Sequence, residues 1–163
     1  MIRVGILTLS DKGSLGQRED LSGKYLKEFV LNQGWEVTAY QILPDEKELI
    51  KKTLIYWCDT LNLDLILTNG GTGVHPRDVT PDATQEVIER DIPGLGEYIR
   101  YISFTKTPRA ALSRGLAGIR KGTLIVNLPG SPKALEEIMP SLSDLLTHAI
   151  AKIKGDPSEC ARV

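Results

Sequence analysis

Three glycines in four residues, Gly70-Gly71-Thr72-Gly73, follow the short apolar run Leu63–Thr68 with Asn69 between. A cluster of this kind lets the backbone adopt positive φ and approach a ligand closely. Successive main-chain N–H groups in such a turn make a nest for an anion such as phosphate. The loop is not a Walker A motif, because no Gly-Lys-Ser/Thr follows, and the GxGxxG spacing of a dinucleotide site is absent. Taken alone it reads equally well as a glycine-rich turn with no ligand. The next segment, Pro76-Arg77-Asp78-Val79-Thr80-Pro81-Asp82, places two acids and an arginine between the glycines and a helix start. A helix N-terminus is itself favourable to phosphate. Thr80 reads as the N-cap with Pro81 at the first helical position, which leaves Asp78 with a role beyond capping. A carboxylate beside a phosphate nest is repelled unless a cation bridges the two, and magnesium does this with one or two carboxylates plus phosphate oxygens. Asp82, in the first helical turn, reads as an acid that offsets the helix dipole.

Other candidates stand at other strand exits. Ser10-Asp11 closes the first apolar run, Pro44-Asp45 the second, and Pro129-Gly130-Ser131-Pro132 the last. By residue type Asp45 is an ordinary N-cap, with Glu48 three residues on as a capping-box partner. Asp11 has the chemistry either to cap or to bind metal. Among the basic residues flanking these loops (Arg77, Lys106, Arg109, Arg114 and Lys133), Arg77 and Lys133 have the best claim to an anion, by adjacency to the two loops. His75 and His148 are far from any second residue at metal-ligand spacing. Trp35 and Trp57 fall inside regular elements and read as packing residues.

The elements that must hold these loops alternate strand with helix throughout. Ile2–Leu9 reads as a buried strand. A polar loop with Gly13 and Gly16 follows, then a helix from Leu21 that Gly34 ends. Trp35–Leu43 alternates as a second strand, and a helix runs from Asp45 to about Leu61. After the third strand and the glycine loop, a helix is expected from Thr80 to about Arg90, and another over Leu95 to Phe104. Thr107-Pro108 and Ser131-Pro132 repeat the cap-then-proline signal. Leu116–Ile119 and Thr123–Leu128 read as strands around Arg120-Lys121-Gly122, and Pro140 is expected to split the last helix in two. The pattern predicts a three-layer α/β sandwich with a mostly parallel sheet and one antiparallel strand. Ligands of open α/β sheets bind beyond the carboxyl ends of the strands, where the unusual residues cluster.

The bulk numbers agree. A chain of 163 residues with 41% hydrophobic and 25% charged residues suits one soluble domain, here 1–155, with a polar tail at 156–163. A net charge of -1 offers no bulk attraction to nucleic acid or an anionic membrane. Cys58 and Cys160 lie too far apart in sequence to suggest a zinc cluster, and they imply no disulfide. No stretch reaches the length of a membrane span, and a cytoplasmic location is expected.

Taken together, the motifs resemble a known family. Leu7-Thr8-Leu9-Ser10-Asp11 leading into Ser14, Gly16, Asp20, Ser22 and Gly23, then Pro44-Asp45, Thr68–Gly73, Pro76–Thr84 and Asn127–Pro132, are similar to the molybdopterin adenylyltransferases of the MogA and MoaB type and to gephyrin-like G domains. The resemblance runs from Gly5 to about Ile153, with Asn69 where threonine is common. It implies the molybdopterin-binding fold and an enzyme of molybdenum cofactor biosynthesis that transfers AMP from ATP to the phosphate of molybdopterin, releasing pyrophosphate. The acids matching Asp45 and Asp78 are the family's functional acids, and would hold Mg2+. Gly70, Gly71, Thr72 and Gly73 would cradle the nucleotide phosphates. Ser10, Asp11, Ser14, Pro129, Gly130, Ser131 and Lys133 would bound the pterin. A homotrimer or hexamer and a downstream metal-insertion protein are further implied. The alternatives are a pterin-binding or oligomeric scaffold protein of the same fold, and a hydrolase of the competence-damage type.

Overall fold

The computed structural model describes residues 1–158, so Cys160 and most of the expected tail lie outside the described residues. The chain order is β1 (Arg3–Leu9), α1 (Asp11–Ser14), α2 (Leu21–Asn32), β2 (Glu36–Leu43), α3 (Lys47–Asp59), β3 (Leu65–Asn69), α4 (Thr80–Val87), β4 (Arg90–Asp91) and α5 (Pro93–Phe104). A 3-10 turn (Pro108–Leu112), β5 (Ala117–Arg120), β6 (Thr123–Leu128) and α6 (Pro132–Ile153) complete it. The six strands form one sheet in the order β2-β1-β3-β6-β5-β4. β2, β1, β3 and β6 pair in parallel, and β5 runs against both of its neighbours. β5 is therefore the single reversed strand.

Two hydrophobic layers sandwich the sheet. On one face Val4 and Ile6 of β1 pack with Leu26 and Val30 of α2, Leu95 and Ile99 of α5, and Leu135, Leu142 and Leu146 of α6. On the other, Leu7 and Leu9 meet Ile50 and Leu54 of α3 and Ala83 and Val87 of α4. The period-two alternation of β1 thus feeds both cores, each fully buried leucine or isoleucine contributing about 1.5–3 kcal/mol. Because α2 lies on one face and α3 on the other, the winding reverses between β1 and β3. That reversal opens a crevice at their carboxyl ends, the usual ligand position in this architecture.

Several local expectations are corrected. The residues after Ser10 form a short helix, with the Ser10 hydroxyl accepting the Gly13 N–H, rather than an open loop. Asp45 does not cap α3; Glu46 holds that position without a side-chain bond. Val79, not Thr80, is the N-cap of α4; the Thr80 hydroxyl is buried without a partner among the described residues and caps nothing, while its N–H donates to the Gly71 carbonyl. That helix stops at Val87, and Arg90–Asp91 adds an edge strand too short to show a sequence pattern. Pro140 does not split α6, which continues from Pro132 to Ile153. Pro140 is exposed, while Ile138, Met139 and Leu142 on either side are buried in the core and keep the helix continuous across the missing hydrogen bond. Among the described residues no helix is long and apolar enough to cross a membrane.

Both tryptophans pack as expected. Trp35 meets Phe29 edge-on with centroids 6.3 Å apart. Trp57 lies over Gly5, where a Cβ would stand 2.6 Å from its ring and 2.7 Å from Leu63. Gly5 is therefore glycine for packing. Gly5→Ala is expected to destabilise the fold by about 1–3 kcal/mol, the usual cost of an overpacked core. Chemical denaturation measures it, and an unchanged midpoint would show that the indole relaxes without cost.

Candidate active site

The four strand exits converge. The Ser10 N–H donates to the Leu43 carbonyl at 2.9 Å, joining the ends of β1 and β2, and the Gly70 N–H donates to the Leu128 carbonyl at 3.1 Å, joining those of β3 and β6. Gly70 takes φ +94°, and a Cβ there would lie 2.4 Å from the Leu9 carbonyl oxygen. Gly130 packs so close that its own Cβ would stand 3.1 Å from the Gly70 Cα. Only glycine at position 70 meets both the positive φ and the crowding.

Beneath these exits a buried polar network holds the sheet ends in register. Asn69 donates to Thr8 Oγ1 at 2.9 Å, and Thr8 donates to Asp20 at 2.7 Å. Asp20 also caps α2 through the Gly23 N–H and accepts the Tyr40 hydroxyl. Burial, with the Asp20 hydrogen bond, pushes the Tyr40 phenol above its usual range. Asn127 donates to Thr68 and Thr84, both within β3–α4.

The glycine loop has an unusual distribution of partners. The Gly71 carbonyl accepts the Thr80 N–H at 3.2 Å, and the Thr72 carbonyl accepts the Arg114 N–H at 2.8 Å. The Gly73 carbonyl accepts Arg114 Nε at 2.9 Å. Among the described residues, the N–H groups of Gly71, Thr72, Gly73 and Val74 meet no acceptor. Consecutive main-chain donors left over, with their carbonyls tied back, are what an anion nest requires.

Both candidate acids border this loop. A Cβ on Gly71, which has φ +67°, would lie 2.4 Å from Thr80 Oγ1 and 2.9 Å from Asp45 Oδ1. Both of those oxygens are buried without a hydrogen-bond partner among the described residues. A Cβ on Gly73 would stand 2.8 Å from Asp78 Oδ2, and the same oxygen accepts the His75 N–H at 3.1 Å. Burial raises the Asp45 pKa, and the nearby carboxylates Asp11 and Asp78 raise it further. An orphaned, partly desolvated carboxylate oxygen beside a loop of unpaired donors fits a divalent cation carried by an anionic ligand. No cluster of three or more acids, histidines or cysteines capable of a self-sufficient metal site occurs among the described residues, so the remaining coordination has to come from ligand and water.

Asp11 turns out to be structural support. Arg77 donates to both of its oxygens at 2.8 Å, and the Asp45 N–H donates to Oδ1 at 2.9 Å. The paired guanidinium holds the Asp11 carboxyl down to about 2. Arg77 spends Nε and Nη2 on Asp11 and keeps Nη1 free among the described residues, at a half-exposed position. The other predicted residues sit around the same edge. Ser14 donates to the Asp11 carbonyl, Ser131 caps α6 through the Ala134 N–H, and the Gly130 carbonyl accepts Ser22 Oγ at 2.6 Å. Pro129 is half-buried and Lys133 exposed.

Two cavities lie among these elements, and one of them borders the loop. One of about 330 Å³ is lined by Ser10, Gly13, Asp20, Ser22 and Pro132. Another of about 250 Å³ reaches Thr72, Gly73 and Pro129, with Ile99, Ala110 and Leu112 as an apolar wall. α5 and the 3-10 turn supply that wall, and no motif in their sequence announces it. The sequence likewise understates Asp82 and Arg114. Arg114 grips both Asp82 oxygens, at 3.2 and 3.0 Å, and the Asp78 carbonyl at 2.6 Å. The Arg114 hydrogen bonds lower the Asp82 pKa.

A three-layer α/β domain with a row of unpaired N–H donors and two acids at its switch point has the architecture of the open α/β proteins that bind ligands beyond the carboxyl ends of their strands. The profile of the probable molybdopterin binding domain matches residues 5–148, and the chain belongs to that family. It is 43% identical over 159 residues to the molybdopterin adenylyltransferase of Helicobacter pylori, covering 95% of this chain and 89% of that protein. The enzyme of that name from Escherichia coli K12 is 41% identical over 146 residues, covering 88% and 74%. The crystal structure of the molybdopterin biosynthesis enzyme MoaB from Thermus thermophilus superposes with a TM-score of 0.89 at 51% identity, covering 98% of this chain and 100% of that one.

The burial of Asp45 has a thermodynamic sign. Its pKa is raised in the fold, so stability is lost as pH rises through the folded value and the carboxylate ionises. Asp45→Asn is therefore expected to raise the melting temperature of the ligand-free protein at neutral pH, at about 2–4 °C per kcal/mol for a domain of this size. The gain should vanish under acid conditions in which Asp45 is already protonated. Calorimetry at both pH values checks it, and a lower midpoint at neutral pH would contradict the assignment.

Proposed function

We propose that this chain is a molybdopterin adenylyltransferase acting in molybdenum cofactor biosynthesis. The observation that carries the reading is the row of four unpaired N–H donors from Gly71 to Val74, bordered by Asp45 and Asp78. Such a loop binds a polyphosphate, and the enzymes named after this reaction share the chain over most of its length.

In the proposed reaction an oxygen of the terminal phosphate of molybdopterin attacks the α-phosphorus of ATP in line. A new P–O–P bond forms, the bond between the α-phosphorus and the bridging oxygen breaks, and that oxygen leaves with pyrophosphate. The products are adenylyl-molybdopterin and pyrophosphate. Such a transfer depends on positioning and charge stabilisation and needs no protein nucleophile. The loop donors hold the nucleotide phosphates. Asp45 and Asp78 hold the Mg2+ that accompanies ATP, which supplies neutralisation of the charge growing on the leaving group. Asp11, braced by Arg77, fixes the main chain of Asp45. The cavity lined by Ser10, Ser22 and Pro132 takes the pterin side. The protein works as a homotrimer or hexamer in the cytoplasm and passes its product to a metal-insertion protein.

The acids separate catalysis from simple binding. Asp78→Ala and Asp45→Ala are each expected to lower adenylyl transfer about a hundredfold or more, the scale of losing a major electrostatic contribution to the transition state. Molybdopterin affinity should change little, because the lost interaction belongs to the transition state. Product formation and pterin binding are measured side by side. Wild-type turnover in both variants would favour a protein of the same fold that only binds the pterin.

A further inference from the structure

We infer that Arg114 is the positioning residue of the phosphate loop, with Asp82 as its anchor. This rests on the reading of that loop as the nucleotide site. Arg114 stands 32 positions beyond Asp82, between the 3-10 turn and β5. It reaches the segment from Thr72 to Asp78 through three separate donors and Asp82 through a fourth. Its main-chain N–H meets the Thr72 carbonyl at 2.8 Å. Nε meets the Gly73 carbonyl at 2.9 Å, and Nη2 meets the Asp78 carbonyl at 2.6 Å. Nη1 and Nη2 together grip the Asp82 carboxylate.

The consequence follows from the planarity of the peptide. In a trans peptide the carbonyl of one residue and the N–H of the next point in opposite directions. Holding the Thr72 carbonyl therefore aims the Gly73 N–H away from Arg114, and holding the Gly73 carbonyl aims the Val74 N–H the same way. The Gly71 carbonyl, tied to the Thr80 N–H, does the same for Thr72. Two of the four unpaired donors thus owe their direction to Arg114, that of Gly73 to its main chain and that of Val74 to its side chain. Holding the Asp78 carbonyl at the same guanidinium fixes the loop to the acid whose Oδ2 lies beside Gly73. Glycine-rich backbone without this clamp has wide freedom. A guanidinium is required for the clamp, because its planar fork presents donors in several fixed directions, whereas an ammonium is a compact point charge. Asp82 holds the fork in place from the first turn of α4, so its role exceeds the helix-dipole effect expected from sequence. Neither residue touches the reacting atoms; both act through the loop.

The test uses the full chain with Arg114→Ala, Arg114→Lys, Asp82→Asn and the Arg114→Ala/Asp82→Asn double variant. Steady-state adenylyl transfer is measured with ATP and molybdopterin varied separately, and Mg-ATP binding is measured by calorimetry. Arg114→Ala is expected to weaken Mg-ATP binding about tenfold and to lower kcat about a hundredfold, with the molybdopterin KM within about threefold of the parent. Arg114→Lys, which keeps the charge and protects against outright unfolding, should recover less than a tenth of the lost activity. Asp82→Asn should fall between parent and Arg114→Ala. The double variant should be no worse than Arg114→Ala alone, because Asp82 acts through Arg114. Full activity in Arg114→Lys would overturn the inference by showing that charge suffices, and so would additive losses in the double variant. If the parent binds Mg-ATP but transfers no adenylyl group, the proposed reaction fails while the loop inference stands or falls on the calorimetry. If the parent binds no Mg-ATP, both fail.

Discussion

The tying back of three successive carbonyls, those of Gly71, Thr72 and Gly73, is the constraint from which the chemistry of this protein derives. A peptide group has a donor on one side and an acceptor on the other, and folded chains satisfy nearly all of both. Here the acceptors are satisfied from within the fold and the donors are left for something else. The surrounding structure serves this arrangement. The reversal of winding between β1 and β3 opens the crevice, and glycine at 70 lets the chain turn against the Leu9 carbonyl and Gly130. The Thr80 N–H, at the start of α4, donates back to the loop.

The acids show the cost of such a site. Asp45 is held in place through its main-chain N–H by Asp11, which is held in turn by Arg77. Its own Oδ1 and the neighbouring Thr80 hydroxyl go without partners in a buried position. Unsatisfied buried polar atoms are uncommon in folded proteins and costly where they occur. Their presence beside a row of unpaired donors supports the proposed cation delivered with the ligand. The two ion pairs divide the work by position. Arg77–Asp11 sets the height of Asp45, and Arg114–Asp82 sets the direction of the loop.

Much of this arrangement is legible in the sequence, and the reasons are local. The strand runs, the cap-then-proline starts at Thr107 and Ser131, the glycine cluster and the single reversed strand all depend on neighbours within a few residues. The misreadings share the opposite property. Pro140 stays inside a helix because distant core residues hold its flanks. Thr80 is not a cap because the fold turns its hydroxyl toward Gly71, nine positions earlier, where it meets no helix N–H. Arg90–Asp91 becomes a strand only through pairing with β5. Arg77 has the sequence position of an anion ligand, but two of its donors go to Asp11, 66 positions away. Arg114 carries no motif at all. The available clue is a question of accounting: a glycine loop of carbonyls needs donors, and an arginine at the exit of another element is a ready supply.

The central claim is that the loop and its acids couple nucleotide cleavage to the pterin phosphate. Pyrophosphate released from ATP by the purified protein, measured with and without molybdopterin, tests this most directly. The account predicts negligible release with ATP and magnesium alone, and release on adding molybdopterin that matches adenylyl-molybdopterin formed one for one. Equal release without the pterin would identify a nucleotide hydrolase, and no release with all components present would contradict the assignment of this site to adenylyl transfer.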